Sequence, residues 1–285
     1  MNAPRWSGPS ATLRRLRDGR LHLQHGPIDV IAQGWGDPAA LAAGERRMAR
    51  RFDTILAELC AELPALRATD AELYGPVARR MAAAVAPFRP AFVTPMAAVA
   101  GAVADALLTE LAGDGVTRAY VNNGGDIALH LAPGESLTCA LAGRPGMPDR
   151  ATIRAEDRVR GIATSGRGGR SLSFGIADAV TVLAGTAAMA DAAATMIANA
   201  VDLPGHPAIR RRPAREIQAD SDLGDRPVTV TLDPLTPVEA DAALARGLEA
   251  ARVFRADGLI EAAALFLHPE TRFLGHPLLK EPADA

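Results

Sequence analysis

The chain reads AYVNNGGDI at residues 119–127, and the fold prediction starts from this stretch. The apolar residues before the two asparagines and the apolar run at 127–131 each predict a β-strand. Asn-Gly is a common hairpin signal, so the simpler interpretation is a tight turn between two strands. Two glycines also allow a ligand to approach the main chain. The alternative is therefore a binding site made by Asn122, Asn123, Gly124, Gly125 and Asp126.

Two predicted helices, at residues 96–112 and 187–201, consist mainly of small residues. Pro95 suits the first turn of the earlier helix, and Thr94 suits its N-cap. Small side chains let a backbone pack closely against its neighbours, so we expect both helices to be buried. An exposed one would instead indicate a homodimer interface.

One aspartate and one threonine lie a single turn apart in the second of these helices. Asp191 and Thr195 therefore share one face, which is otherwise apolar. A carboxylate there is costly unless it is paired or binds a cation. A carboxylate and a hydroxyl are oxygen ligands suited to Mg²⁺ or Ca²⁺. A capped or solvated aspartate is the alternative interpretation.

A second glycine-rich stretch, TSGRGGR at residues 164–170, combines hydroxyls with two arginines. Consecutive main-chain N–H groups in such a loop can form a concavity that binds anions, and an arginine can pair with phosphate. The stretch matches neither the Walker loop nor the G-x-G-x-x-G pattern. An ordinary surface loop is the alternative. The candidate binding residues are Thr164, Ser165, Gly166, Arg167 and Arg170.

The remaining elements alternate irregularly, which predicts an α+β fold with sheets covered by helices. Further strands are predicted at 21–23 and 28–32, which form a hairpin, and at 137–142, 179–183, 228–232 and 259–267, and residues 160–164 lead into the second glycine-rich stretch. Further helices are predicted at 41–67, 75–85 and 237–251, and a long loop at 204–226. We expect a disordered tail at 1–10 and a single domain over 11–285.

Composition narrows the classes of function. The 285 residues carry 31 basic and 33 acidic side chains, so no basic surface for nucleic acid is expected. Cys60 and Cys139 are too few and too far apart for a disulfide framework or a metal cluster. We recognise no secretory signal and no apolar run long enough for a membrane span, and we expect a cytoplasmic protein.

Taken together, these segments resemble the ApbE-like superfamily, which includes the FAD:protein FMN transferases. The resemblance covers about residues 92–202. Residues 121–127 are similar to the family's Asn-x-Gly-Gly-Asp-Ile turn, 190–195 to its Ala-Asp-Ala-x-Ala-Thr helix, and 162–166 to its segment beside the flavin. The resemblance implies a T-fold-related α+β architecture, FAD or FMN as cofactor, and Mg²⁺ held by Asp191, Thr195 and Val99.

Two departures separate the chain from the transferases. Ala100 stands where the family has a lysine, and GIADA at residues 175–179 replaces its His-x-Ile-Asp-Pro motif. Asp178 is then the one retained candidate for a catalytic base. Among the implied functions, the first is a flavin-binding protein with a degenerate transferase site and a flavin-acceptor protein as partner. A non-transferase enzyme of amino-acid or sulfur metabolism and a flavin carrier are the alternatives.

Overall fold

The computed structural model describes residues 10–140, 150–169 and 171–275, and these form two units. Unit 1 holds the described residues up to Leu137, together with Ile153–Ile162 and Gly185–Asp191. Unit 2 holds the described residues of Thr138–Thr152, Ala163–Ala184 and Ala192–Ala285. The single domain over 11–285 stays a prediction, and the tail predicted at 1–10 lies, apart from Ser10, outside the described residues.

Unit 1 contains an antiparallel sheet that is built from the predicted hairpins. Its strands, in spatial order, are β1 (Thr12–Arg15), β2 (Leu21–His25), β3 (Ile28–Gly36), β4 (Val116–Asn123) and β5 (Asp126–Leu131). Alternate residues of β2 are buried, which is the pattern of a strand with one face on the core. All four residues of β1 are exposed, so no alternation in the sequence indicated this strand.

Four helices of unit 1 accompany this sheet: α1 (Pro38–Ala61), α2 (Leu63–Leu66), α3 (Pro76–Val85) and α4 (Val99–Leu111). The predicted helix over 41–67 is thus broken at Glu62. The apolar residues that recur at three- and four-residue spacing along α1 are buried: Met48, Phe52, Ile55, Leu56 and Leu59. The helix predicted from residue 96 begins three residues later, because Pro95–Ala98 forms a 3₁₀ turn. Thr94 is the N-cap residue of that turn and Pro95 lies in its first turn, as predicted, but the Thr94 side chain makes no capping hydrogen bond.

Unit 2 contains a second antiparallel arrangement. Its strands β9 (Ala179–Ala184), β12 (Ala262–Leu267) and β13 (Glu270–Leu274) pair in that order, and β10 (Ile209–Pro213) pairs with β11 (Pro227–Leu232). The helices are α6 (Ala214–Ile217) and α7 (Pro237–Ala256). Strands β6 (Ser136–Ala140) and β7 (Arg150–Arg154) form a small sheet. Strand β8 (Gly161–Ser165) and helix α5 (Ala187–Ala200) begin in unit 1 and end in unit 2.

Residues 204–226, predicted as a loop, contain a strand and a short helix instead. The three consecutive arginines that favoured a loop belong to β10, where each forms an ion pair: Arg210 with Asp233, Arg211 with Asp202 and Arg212 with Glu216. Charged side chains with such partners are compatible with a strand. The last predicted strand also begins three residues late, at Ala262, and β13 was not predicted.

The two helices of small residues are buried, as predicted. In α4 the buried residues include Gly101, Ala102 and Ala104, and in α5 they include Ala190, Ala193 and Ala194. None of the helices in the described part of the chain has both the length and the apolar character that a membrane span needs.

Helix α7 begins with a capping box that should be sensitive to acid. Thr236 accepts a hydrogen bond from the Glu239 N–H at 3.3 Å, and Glu239 Oε2 accepts one from the Thr236 N–H at 2.7 Å. The hydrogen bonds that the Glu239 carboxylate accepts from the Thr236 N–H and the Thr236 hydroxyl, together with His206, lower the pKa of Glu239 from 4.5 to about 2.

A depressed pKa stabilises the fold above the unfolded value of 4.5, and this contribution is lost as the pH falls towards 2. We therefore expect Glu239→Gln to lower the Tm at pH 7, and the difference from the unmodified protein to narrow below pH 4.5. Thermal unfolding across this range measures it. Glu249→Gln, on the same helix, is the control; an equal pH-dependent loss there would contradict the assignment.

Candidate functional site

The turn between β4 and β5 is the tight hairpin that the Asn-Gly signal predicts. Gly124 and Gly125 have φ of 65° and 118°, in the region that favours glycine. The Gly125 N–H donates to Asn122 Oδ1 at 2.8 Å, which closes the turn. A Cβ built on Gly125 would meet no atom within 4 Å, so the space beside this residue is open.

The same turn directs two polar side chains into unit 1. Asn123 and Asp126 pair across the hairpin, and both are buried, at 5% and 8% exposure. Asn123 Nδ2 donates to the carbonyl oxygen of Ala100 at 3.1 Å. The tight-turn interpretation is therefore correct, and the turn also connects β4 and β5 to the first turn of α4.

Asp191 of α5 caps the N-terminus of α4. Its Oδ2 accepts a hydrogen bond from the Gly101 N–H at 3.0 Å, and the Ala100 N–H is a further donor to this carboxylate. Both donors are among the first N–H groups of a helix, which have no partner inside that helix. Val99, the remaining predicted ligand residue, is the first residue of α4. The capped-aspartate alternative thus describes one part of what Asp191 does.

The capping is reciprocal. Asp105 of α4 accepts hydrogen bonds from the N–H groups of Ala187 and Ala188, each at 3.0 Å, at the start of α5. Between the two caps the backbones nearly touch: a Cβ on Gly101 would lie 2.2 Å from the carbonyl oxygen of Ala187. Only glycine fits at this position.

Burial and a neighbouring carboxylate both disfavour charge on Asp191. Its pKa lies well above the ordinary 3.8, first because the group is desolvated and second because Asp126 repels a negative charge. The hydrogen bonds from the Gly101 and Ala100 N–H groups lower this pKa, but by less. Desolvation likewise raises the pKa of Asp105, against the N–H groups of Ala187 and Ala188 and the charge of Arg80.

A pair of adjacent carboxylates can share a proton or bind a cation. The oxygen atoms available in unit 1 are of the kind that a hard cation such as Mg²⁺ prefers, and a cation beside the two carboxylates would relieve their repulsion. The described residues contain no group of three or more His, Cys, Asp or Glu side chains placed to hold a metal. Any cation here would therefore depend on hydroxyl, main-chain or ligand oxygens to complete its coordination.

Unit 2 brings together the predicted residues of the second glycine-rich stretch. Thr195 Oγ1 donates to Ser165 Oγ at 3.3 Å, and the hydroxyls of Thr164 and Thr181 are 2.8 Å apart. The loop's main-chain donors are already in use: the N–H groups of residues 167, 168 and 169 bond to the carbonyls of Ala177, Asp178 and Gly166. These three donors are engaged, and the predicted anion-binding role of the loop stays a prediction. Arg170 lies outside the described residues.

Asp178 holds this loop in place. Its Oδ1 accepts from Arg167 Nη2 at 2.5 Å, and its Oδ2 accepts from the His268 N–H at 2.7 Å. Gly166, with φ of 136°, lets the main chain pass close to the Asp178 carbonyl. Each carboxylate oxygen thus accepts one hydrogen bond and keeps a further lone pair. Its catalytic role stays a prediction.

The structure therefore groups the predicted site residues in two sets. Asn123, Asp126 and Asp191 come together in unit 1, and Ser165 comes together with Thr195 in unit 2. Helix α5 carries Asp191 and, one turn later, Thr195. Sequence reasoning missed Asp105 and the two main-chain donors of α4. The one local feature of the sequence that points to these groups is a glycine, Gly101, followed four residues later by an aspartate.

The family described as "AbpE bacteria" matches residues 13–273 of the chain. The UPF0280 protein of Methanothermobacter thermautotrophicus is 40% identical over 142 residues, which are 46% of this chain and 50% of that protein. The UPF0280 protein of Methanococcoides burtonii is 39% identical over 116 residues, or 40% and 48% of the two chains. The chain thus spans about half the length of the curated relatives it matches. The flavin transferase ApbE from Vibrio cholerae aligns with 95% of this chain and 99% of its own, at a TM-score of 0.43 and 13% identity.

The close approach of α4 and α5 predicts a large cost for one added methyl group. Gly101→Ala places a Cβ against main-chain atoms of Ala187 and should destabilise the protein by about 1–3 kcal/mol, as overpacked cores do. Urea unfolding measures this free energy. Gly185→Ala is the control, because its Cβ would meet its nearest neighbour at 3.9 Å. Equal stability of the two variants would contradict the described packing.

Proposed function

Since the chain belongs to the family described as "AbpE bacteria", we propose that it binds a flavin nucleotide, FAD or FMN, together with Mg²⁺. The observation that carries this proposal is the pair of carboxylates, Asp126 and Asp191, beside the N-terminus of α4. The proposed compartment is the cytoplasm, in keeping with two free cysteines.

Asp191 is the proposed charged ligand of the metal. Its carboxylate and that of Asp126 repel each other in a desolvated place, and a divalent cation would relieve this repulsion. The Thr195 hydroxyl and the main-chain oxygen of Val99 are the further proposed ligands. Bound there, Mg²⁺ would supply charge compensation for the phosphate oxygens of the nucleotide.

The hairpin turn is the proposed contact for the rest of the nucleotide. The space beside Gly125 is open, and its N–H is fixed by Asn122. Asn123 and Asp126 are held on the buried side of the turn, where they position the first turn of α4 and the proposed cation. We assign the phosphates to the metal instead of to the N–H groups of residues 167–169, which are engaged.

We expect this protein to bind a flavin nucleotide more readily than it transfers FMN. Ala100 and the segment 175–179 lack the lysine and the histidine that the resemblance would lead one to expect, and both oxygens of Asp178 accept hydrogen bonds. The absence of a well-placed general base lowers a rate by about 10²–10⁴-fold. Transfer of FMN to a serine or threonine of an acceptor protein should therefore be slow. The engagement of Asp178 favours a flavin carrier as the second candidate.

We expect FAD to bind more tightly with Mg²⁺ than without it, and Asp191→Asn to remove this difference. Asparagine keeps an acceptor for the Gly101 N–H but removes the charge, so affinity in Mg²⁺ should fall by about tenfold or more, on the scale of perturbed metal sites. Fluorescence titration of FAD measures it. Asp114→Asn, an exposed aspartate after α4, is the control.

Two results would contradict the proposal in different ways. If no flavin binds with or without Mg²⁺, the non-transferase enzyme of small-molecule metabolism becomes the better account. If mass spectrometry shows rapid, Asp191-dependent transfer of FMN to an acceptor protein, the site is not degenerate.

A further inference from the structure

A cavity of about 460 Å³ lies in unit 1 beside the Asp105 cap. Helix α3 lines it with Arg80, and helix α4 with Asp105 and Thr109. Thr186, which directly precedes α5, and Arg160, which directly precedes β8, complete the polar lining. Its volume falls within the range of pockets that hold small molecules, about 300–1,000 Å³.

The polar lining of this cavity carries an excess of positive charge. Arg80 and Arg160 face one carboxylate, that of Asp105, which already accepts two hydrogen bonds from the start of α5. Within the described residues, neither arginine lies within ion-pair distance of a carboxylate. Arg160 donates to the carbonyls of Ala155, Asp157 and Val159 at 2.6–2.7 Å. Carbonyl oxygens fix the guanidinium but leave its charge uncompensated.

The remaining lining is apolar. Leu108, Leu129, Ala84 and Met189 contribute to it, and Leu129 and Ala84 are buried. A cavity that pairs two guanidinium groups with such a surface suits a molecule with an anionic group and a small apolar body.

This cavity is separate from the proposed flavin site. In the described part of the chain, Asp126, Asp191 and Gly101 do not line it. The first N–H groups of α5 are also taken by Asp105, so the arginines are what would hold the anion.

We propose that this cavity is a second ligand site, which binds a small organic anion, a carboxylate or a phosphate monoester, through Arg80 and Arg160. The Thr186 hydroxyl accepts from the Met189 N–H at 3.2 Å and is left with its proton to donate to the ligand. The inference does not depend on flavin binding.

Calorimetric titration with phenyl phosphate tests the proposal on the full chain. We expect saturable binding at millimolar concentrations, weakened by about tenfold or more in Arg80→Gln, since a hydrogen bond to a charged group is lost. Arg79→Gln removes the same charge from an exposed position on α3 that does not line the cavity, and should bind as the unmodified protein does. Phenylacetate tests the carboxylate arm, and benzyl alcohol, which is neutral, should not bind.

A second variant tests whether phenyl phosphate binds in this cavity, and it does so without removing a charge. Ala83 is exposed and lines the cavity, so Ala83→Trp should fill its entrance and abolish binding while the fold is kept. Amide chemical shifts of residues 186–189 should move on titration with phenyl phosphate. The proposal is overturned if phenyl phosphate does not bind, if Arg80→Gln binds it no more weakly than Arg79→Gln, or if Ala83→Trp binds it unchanged.

Discussion

Helices α4 and α5 are held together by two aspartates that each cap the other helix. Asp191 accepts N–H bonds from the start of α4, and Asp105 accepts them from the start of α5. The exchange requires the two backbones to meet at Gly101, where no side chain fits. The glycine at position 101 follows from this approach, and both capping carboxylates lie half-buried beside it.

Desolvation raises the pKa of both carboxylates. A desolvated aspartate is most stable when it is neutral, when it is hydrogen-bonded or when it faces a cation. Asp105 has two helix N–H groups and the charge of Arg80. Asp191 also accepts hydrogen bonds from N–H groups, but the carboxylate of Asp126 repels a negative charge on it. The two caps therefore differ: Asp191 faces a second carboxylate, whereas Asp105 faces the positive charge of Arg80.

Local patterns were enough to predict most elements of this fold. Alternation predicted β2 and β3, the glycines predicted the turn before Asp126, and small residues predicted two buried helices. The caps could not be predicted, because Asp191 and Gly101 are 90 residues apart in sequence and Asp105 and Ala187 are 82 apart. Thr94 is predicted as the cap because it is adjacent to the helix in the sequence, whereas the carboxylate that caps α4 comes from another helix. Likewise, the arginines of β10 suggested a loop because their acidic partners cannot be identified from the sequence alone.

The thermal stability of Asp126→Asn, measured with and without Mg²⁺, tests most directly whether the Asp126–Asp191 pair is a cation site. Without Mg²⁺ the variant should have a higher Tm than the unmodified protein, because the repulsion on Asp191 is removed. Mg²⁺ should raise the Tm of the unmodified protein, since a ligand of the folded state stabilises it, and should raise that of the variant much less. A variant with a lower Tm and an undiminished response to Mg²⁺ would contradict the account.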